Sequence, residues 1–375
     1  MLKNFFESII NLIKFINTDK QKKEFVFYSE SKFYRDYYID LILNLRKKGQ
    51  KNIILVTSDR DDVTFFKDTI TCFYIKNFIL LSIFFKTLNC KFMIMTLTDL
   101  GMHLERSKLC NFYVYFFHAL ASTQKIYTKS AFKHYDIILS NGEYQTNELR
   151  LYEKKFNFPK KEIFNSGYFF LDNLKIQANL NSKEKKHILF APSWNYEKEN
   201  LFDDYSVNII SNLLSKNFIL TLRPHPEHYK RSKRTIDKIN SLFSDYKNFF
   251  LDKNVSNLKS LEKAEILITD NSSIVFEFVL VFKRPIIYLD YKDKIHNTDL
   301  DKMAITTIDE EFKELFGNKL SINKLENLGD LCESLINNNY VAAQLVDNFE
   351  KNNLSNLNQS ASYASNYLIN KSKSI

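Results

Sequence analysis

The chain has 375 residues, 45% hydrophobic and 26% charged, with a formal net charge of +9. That length holds two domains with a core in each, and that composition excludes a disordered or fibrous chain. The positive balance favours an anionic partner, whether nucleotide, phosphopolymer, acidic membrane surface or nucleic acid, without choosing among them.

At the N-terminus, Phe5, Phe6, Ile9, Ile10, Ile13 and Ile16 recur at helical spacing, with Lys3, Glu7 and Lys14 off that face and Lys20, Lys22 and Lys23 behind. The spacing predicts an amphipathic helix within residues 1–23, which would either lie flat on an anionic membrane or pack on the domain body. No small-residue cleavage site follows it, so a signal peptide is not expected. From residue 24 short apolar runs alternate with amphipathic stretches such as Tyr34 to Lys47. Strands are expected at Phe25 to Tyr28, Asn52 to Val56, Phe92 to Thr96, Phe112 to Phe117 and Asp136 to Leu139. This alternation predicts an α/β domain with a mostly parallel sheet over residues 24–175. The apolar run Phe78 to Phe85, bounded by Lys76 and Lys86, is too short to span a membrane and is expected as a buried element. In YVYFFHALAST, His118 follows an apolar strand directly. A histidine there suits a general base for a hydroxyl, or is simply a satisfied loop residue.

The polar stretch 176–186 reads as a linker, and a second α/β series over 187–305 follows it. Its strands are expected at His187 to Ala191, Phe218 to Leu222, Phe249 to Asp252, Ile266 to Thr269 and Ile286 to Leu289. In LTLRPHPEH two prolines stiffen the backbone around His225, so that Arg223 and His225 are presented at a strand end, as an anion site or as a solvated turn. The stretch Ala264 to Tyr291 is a βαβ unit in one piece: a strand, the turn Asp270-Asn271-Ser272-Ser273, an apolar helix from Ile274 to Phe282, and a strand opened by Pro285. Hydroxyls and backbone N–H groups at such a corner suit a phosphate, and an ordinary N-cap accounts for the same residues. Glu277 is the one acidic group of that helix, and a buried carboxylate needs a partner. Residues 306–375 turn helical. Two α/β domains joined by a linker suggest a cleft enzyme with ligands at the strands' carboxyl ends.

Only six glycines occur, and none forms GxGxxG or a P-loop, so phosphate binding would fall to helix N-termini, hydroxyls, Arg and His. The remaining histidines, His103, His134, His187, His228 and His296, show no HExxH-like spacing, so no metal site is expected. Cys72, Cys90, Cys110 and Cys332 lack CxxC spacing and read as reduced, structural thiols of an intracellular protein. No GxSxG elbow and no nucleic-acid reader module is present, so no nucleic-acid partner is expected.

Taken in order, FFHALAST, HYDIILSNGEYQTNELR, NSGYFFLDNL, ILFAPSWNYE, LTLRPHPEH and ILITDNSSIVFEFVLVFKRPIIYLD resemble CDP-glycerol glycerophosphotransferases of the teichoic-acid polymerase type. The resemblance covers roughly residues 92–291. It implies a GT-B-like fold, two Rossmann-like domains facing across a cleft, with residues 24–175 as acceptor domain and 187–305 as nucleotide-donor domain. It implies transfer of glycerol phosphate, or a related polyol phosphate, from a CDP-activated donor to a lipid-linked polymer of teichoic acid, capsule or lipopolysaccharide type. The enzyme would sit in the cytoplasm, peripherally on the inner membrane, with no cofactor beyond its CDP-polyol substrate. His118 matches the family's general base and His225 its second histidine; Ser272 and Ser273, with Asn271 in the same turn, match the donor-phosphate site. Arg223 would add a phosphate contact and Glu277 would hold the ribose hydroxyls. Phe117 and Ala119 replace the family's usual tryptophan and glycine, which puts acceptor preference in question. A GT-B sugar transferase, a UDP-sugar epimerase and a non-catalytic subunit of a polymer-export complex are the rival readings.

Overall fold

The computed structural model describes residues 2–98, 100–195, 199–292, 297, 306–338 and 341–374. His296 and the expected boundary at 305 lie outside the described residues. The chain divides into two compact units, one of Met1–Thr123, Tyr127–Asn173 and Asn353–Ile375, the other of Gln124–Ile126 and Leu174–Asn352.

In the first unit, β1 (Phe25–Ser29), β2 (Ile53–Thr57), β3 (Thr71–Tyr74), β4 (Phe92–Met95), β5 (Phe112–Phe116), β6 (Ile137–Ser140) and β7 (Glu162–Asn165) form one sheet in the order β3-β2-β1-β4-β5-β6-β7. Every pairing is parallel. Helices cover both faces of such a sheet, which is why FVFYS in β1 and IILVT in β2 are buried along their whole length. Phe25, Phe92 and Phe112 stack across three adjacent strands at 5.4 and 5.5 Å between ring centres. In the second unit, β8 (His187–Phe190), β9 (Ile219–Leu222), β10 (Phe249–Leu251), β11 (Ile266–Thr269), β12 (Ile286–Asp290) and β13 (Gly317–Ser321) are again all parallel, in the order β10-β9-β8-β11-β12-β13. Both orders are those of a doubly wound nucleotide-binding sheet. The order in which strands are added reverses between β1 and β4 in one unit and between β8 and β11 in the other, and in sheets of this kind ligands bind outside the carboxyl ends at such a switch point.

The ten expected strands are present within a residue or two. The three unexpected ones, β3, β7 and β13, are all at sheet edges. An edge strand pairs on one side and needs less apolar surface: in GNKLS of β13 only Leu320 is buried, and the flanking amphipathic helices mask it. The stretch read as one helical region, 306–375, is thereby interrupted by a strand and then shared between the units. Its last helix, Ser360–Lys373, sets Ala361, Ala364 and Leu368 into the core of the first unit. Lys48 Nζ donates to Ser362 O (2.6 Å) and Lys91 Nζ to Ser372 O (2.7 Å) along that helix. Gly167, at φ +92°, lets the returning chain pass; a Cβ there would meet Ser355 O at 2.3 Å.

The stretch 176–186 is no free tether within the second unit. Asn179 N–H donates to Glu262 Oε1 (2.8 Å), Glu184 N–H to Lys263 O (2.9 Å), and the buried Arg284 guanidinium reaches Leu180 O (3.2 Å) as well as Glu262 O and Ala264 O (both 2.6 Å). Arg284 so satisfies carbonyls at the end of the helix Leu258–Lys263, a favoured place for a cation.

The N-terminal helix, Leu2–Asn17, packs on the body of the first unit without turning its more apolar face inward. A narrow inner stripe, Ser8, Leu12 and Phe15, packs on the body, with Phe15 against Phe84 at 5.0 Å. Most of the apolar positions counted from the sequence point outward: Phe5, Phe6, Ile10, Ile13 and Ile16 are exposed, and Ile9 is half-buried. The run expected to be a buried element is the helix Phe78–Thr87, capped by Asn77. It buries Leu80, Phe84 and Phe85 and leaves Phe78 and Ile79 62% and 66% exposed, because a helix apolar on all sides can turn only one of them to the core.

Candidate functional site

His118 lies just past the end of β5, and Thr96 just past the end of β4, its neighbour at the reversal of the first sheet. Parallel register, Met95 opposite Tyr115, brings the two loops side by side. Thr96 Oγ1 is 2.6 Å from His118 Nδ1, and the Tyr168 hydroxyl donates to His118 O at 3.2 Å. Tyr34 and Tyr37, from the short helix Lys32–Tyr37, meet the imidazole edge-on at 5.3 and 6.0 Å. The ring is half-buried and held on several sides, as a proton-transfer group should be. Sequence reasoning missed Thr96 as a partner; its only signal was a hydroxyl ending the apolar run FMIM.

The reversal of the second sheet lies between β8 and β11. Asp270, directly after β11, accepts from Ser193 N–H (2.7 Å) and Ser193 Oγ–H (2.8 Å), all of it buried. His228, fully buried against Phe202 at 4.2 Å between ring centres, sets Nε2 3.2 Å from Ser193 O. These bonds tie the loop after β8 to the start of the turn that carries Asn271, Ser272 and Ser273. The helix expected from Ile274 to Phe282 runs as Ile274–Glu277 and widens into a π-helix over Phe278–Phe282, closed by Lys283 in left-handed geometry at φ 53°. Ser272 and Ser273 stand half-buried at its start, where Ser272 Oγ accepts from Ile274 N–H (3.5 Å) and Ser273 O from Phe276 N–H (3.0 Å). Asn271 is a tie within the turn: its Nδ2 donates to Lys292 O (2.9 Å) and its Oδ1 accepts from Lys313 Nζ (2.5 Å). Lys313, which sequence reasoning passed over, thus brings an ammonium to the corner. Glu277 is 3% exposed, one helical turn inside.

Arg223 and His225 follow β9, the strand next to β8. His225 is exposed and caps the helix Pro226–Arg231; its Nδ1 accepts from Glu227 N–H at 3.2 Å. That bond leaves the ring proton on Nε2 in the neutral form, a donor suited to a phosphate oxygen. Arg223 is engaged within its own unit. Its Nη1 pairs with Asp252 Oδ2 at 2.5 Å and its Nη2 donates to Val255 O at 3.0 Å, so the fork holds the loop after β10. Burial works to raise the Asp252 carboxyl, but the Arg223 charge, the Ser260 hydroxyl and the Asn254 N–H outweigh it and hold it below the usual range. Among the described residues no group of His, Cys, Asp and Glu side chains is arranged to hold a metal ion.

Over residues 111–326, more than half its length, the chain matches the family described as CDP-Glycerol:Poly(glycerophosphate) glycerophosphotransferase. It is 26% identical over 180 residues to a teichoic acid glycerol-phosphate primase of Bacillus subtilis, covering 46% of this chain and 43% of that protein. It is 31% identical over 193 residues to a teichoic acid poly(glycerol phosphate) polymerase of Bacillus spizizenii, covering 46% and 45%. The chain thus spans about half the length of the curated relatives it matches. A structure of the wall teichoic acid polymerase TagF shares its fold, with a TM-score of 0.61 at 16% identity over 100% of this chain and 99% of that one. With two doubly wound sheets and this match across both His118 and the Ser272 corner, the chain belongs to the CDP-glycerol:poly(glycerophosphate) glycerophosphotransferase family.

Proposed function

We propose that the chain moves glycerol phosphate, or a related polyol phosphate, from a CDP-activated donor to a hydroxyl of a bacterial surface polymer. The observation that carries this reading is the extent of the family match, residues 111–326, which takes in His118 and the donor-side corner together. In this reading His118 Nε2 takes the proton of the acceptor hydroxyl, whose oxygen attacks the distal phosphorus in line, and the bond to CMP breaks with its electron pair leaving on the CMP oxygen. His225 Nε2–H, the Ser272 and Ser273 hydroxyls and the Lys313 ammonium would steady charge on the donor phosphates, and Glu277 the ribose. No separate cofactor enters the scheme.

The test is donor profiling on the purified chain. CDP-glycerol or CDP-ribitol should raise the unfolding midpoint, by about 2.7 kcal/mol of added stability at a hundredfold excess over Kd, and release CMP when acceptor is supplied. Stabilisation by UDP-N-acetylglucosamine alone would shift the reading to a sugar nucleotide, and no response to any donor would leave a non-catalytic subunit.

The same reading places the enzyme at the inner membrane surface beside a lipid-linked acceptor. Its support is an outward apolar face on two packed helices of the first unit: Phe5, Phe6, Ile10 and Ile13 with Phe78, Ile79 and Ile83. Exposed apolar side chains on both helices, with Lys14 exposed on the first and Lys86, paired with Glu105 at 3.3 Å, on the second, fit an anionic bilayer. Among the described residues no helix is long and apolar enough to cross a membrane. The chain should co-sediment with vesicles containing phosphatidylglycerol, and Ile10→Asp with Ile79→Asp should abolish it. Equal sedimentation of that double variant would remove the proposal.

A further inference from the structure

We infer that Thr96 is a positioning residue for His118, holding the ring in the tautomer and rotamer in which Nε2 is the basic nitrogen. The inference rests on the general-base reading of His118 given above. Thr96 is 8% exposed, and its Oγ1 lies 2.6 Å from His118 Nδ1. It follows directly on Met95, the last β4 residue paired with β5, and a β-branched side chain has little χ1 freedom. Tyr34 and Tyr37 bound the ring edge-on, and Tyr168 anchors its backbone carbonyl. Those contacts fix where the ring sits, and Thr96 addresses which nitrogen carries the proton. With Nδ1–H donating to Oγ1, the lone pair is on Nε2.

A hydroxyl differs here from the carboxylate that orients many catalytic histidines. It accepts the Nδ1–H bond without placing a full negative charge beside the ring, and the lone pair that takes the acceptor proton is then the one on Nε2. As the acceptor O–H breaks and N–H forms at Nε2, the Nδ1–H···Oγ1 bond becomes charge-assisted and strengthens while the new O–P bond forms and the bond to CMP breaks. The interaction is therefore stronger in the transition state than in the ground state, which places its effect on kcat rather than on donor binding.

The test measures kcat and KM of the full chain with CDP-glycerol and a lipid-linked glycerol phosphate acceptor in detergent, for Thr96→Val, Thr96→Ala, Thr96→Ser and His118→Ala. Losing the hydroxyl in either the Val or the Ala variant should lower kcat about 10- to 100-fold, the usual scale for a partner that orients a reacting group, with donor KM within about twofold. Thr96→Ser, which keeps the oxygen, should recover most of the rate. If Val folds poorly, judged by its unfolding midpoint, the Ala and Ser pair decides. The inference is overturned by wild-type kcat in Thr96→Ala while His118→Ala is inactive, or by equal losses in the Ser and Ala variants, which would make the methyl group the cause. Activity retained in His118→Ala would remove the general-base reading first and this inference with it.

Discussion

Replacing His118 by alanine should lower transfer about 10²- to 10⁴-fold, the range for a positioned general base, and leave the CDP-glycerol-induced rise in unfolding midpoint unchanged. The asymmetry follows from where the residue sits. His118 lies just past β5 in the first unit, whereas the turn Asp270 to Ser273, the proposed donor site, belongs wholly to the second and is held by bonds from Ser193 to Asp270 and from Lys313 to Asn271. Removing an imidazole that is half-buried between Tyr34 and Tyr37 also costs little core packing, so the baseline midpoint should fall by only a few degrees. His118→Gln, which keeps the volume and a hydrogen-bonding group but no titrating nitrogen, should be as inactive. Measuring CMP release and the midpoint on one preparation checks both halves. A donor response lost together with activity would mean that His118 binds the donor instead of activating the acceptor.

Much of this arrangement is legible in the residues, and the parts that are not share a cause. Central strands are paired on both sides and covered on both faces, so they must be apolar throughout, and IILVT or ILIT admit little else. Edge strands escape that constraint, which hides EIFN and GNKLS. Spacing of apolar residues reports a helical face but not its direction. In the N-terminal helix the more apolar face is outside, and the buried stripe includes Ser8. The site divides in the same way. His118, Ser272 and Ser273 stand at strand ends, where topology alone makes a residue a candidate. Thr96, Ser193, His228 and Lys313 matter through partners distant in the chain, and Ser193 lies far from Asp270 until β8 and β11 pair. Arg223 shows the converse limit: its place at a strand end is legible in LRPHP, whereas the direction of its side chain depends on Asp252, which arrives with another strand.

That dependence makes Arg223→Ala a test of structure against ligand contact. The pair is largely enclosed, with Arg223 and Asp252 side chains 16% and 5% exposed. Asp252 is also the hub of its loop, accepting from Asn254 N–H (2.9 Å) and the Ser260 hydroxyl while its backbone O accepts from the Tyr229 hydroxyl (3.1 Å). Truncating Arg223 leaves a buried carboxylate without its cation, so the variant should lose about 2–3 kcal/mol, or roughly 5–10 °C in midpoint; solvent at the arginine end keeps the loss at the low side for broken buried pairs. The double variant Arg223→Ala with Asp252→Asn should lose less than the two single changes added, because no lone charge remains. The sign with pH is fixed by Asp252. Its carboxyl is held below the usual range in the folded chain, so its contribution is present above the unfolded value near 3.9 and is lost as pH falls through the folded value. The gap between wild type and Arg223→Ala should therefore be full at neutral pH and close only below about pH 4. Were Arg223 instead a donor-phosphate contact, the variant would keep its baseline midpoint and lose the CDP-glycerol response, the reverse of the result expected from its bonds to Asp252 and Val255.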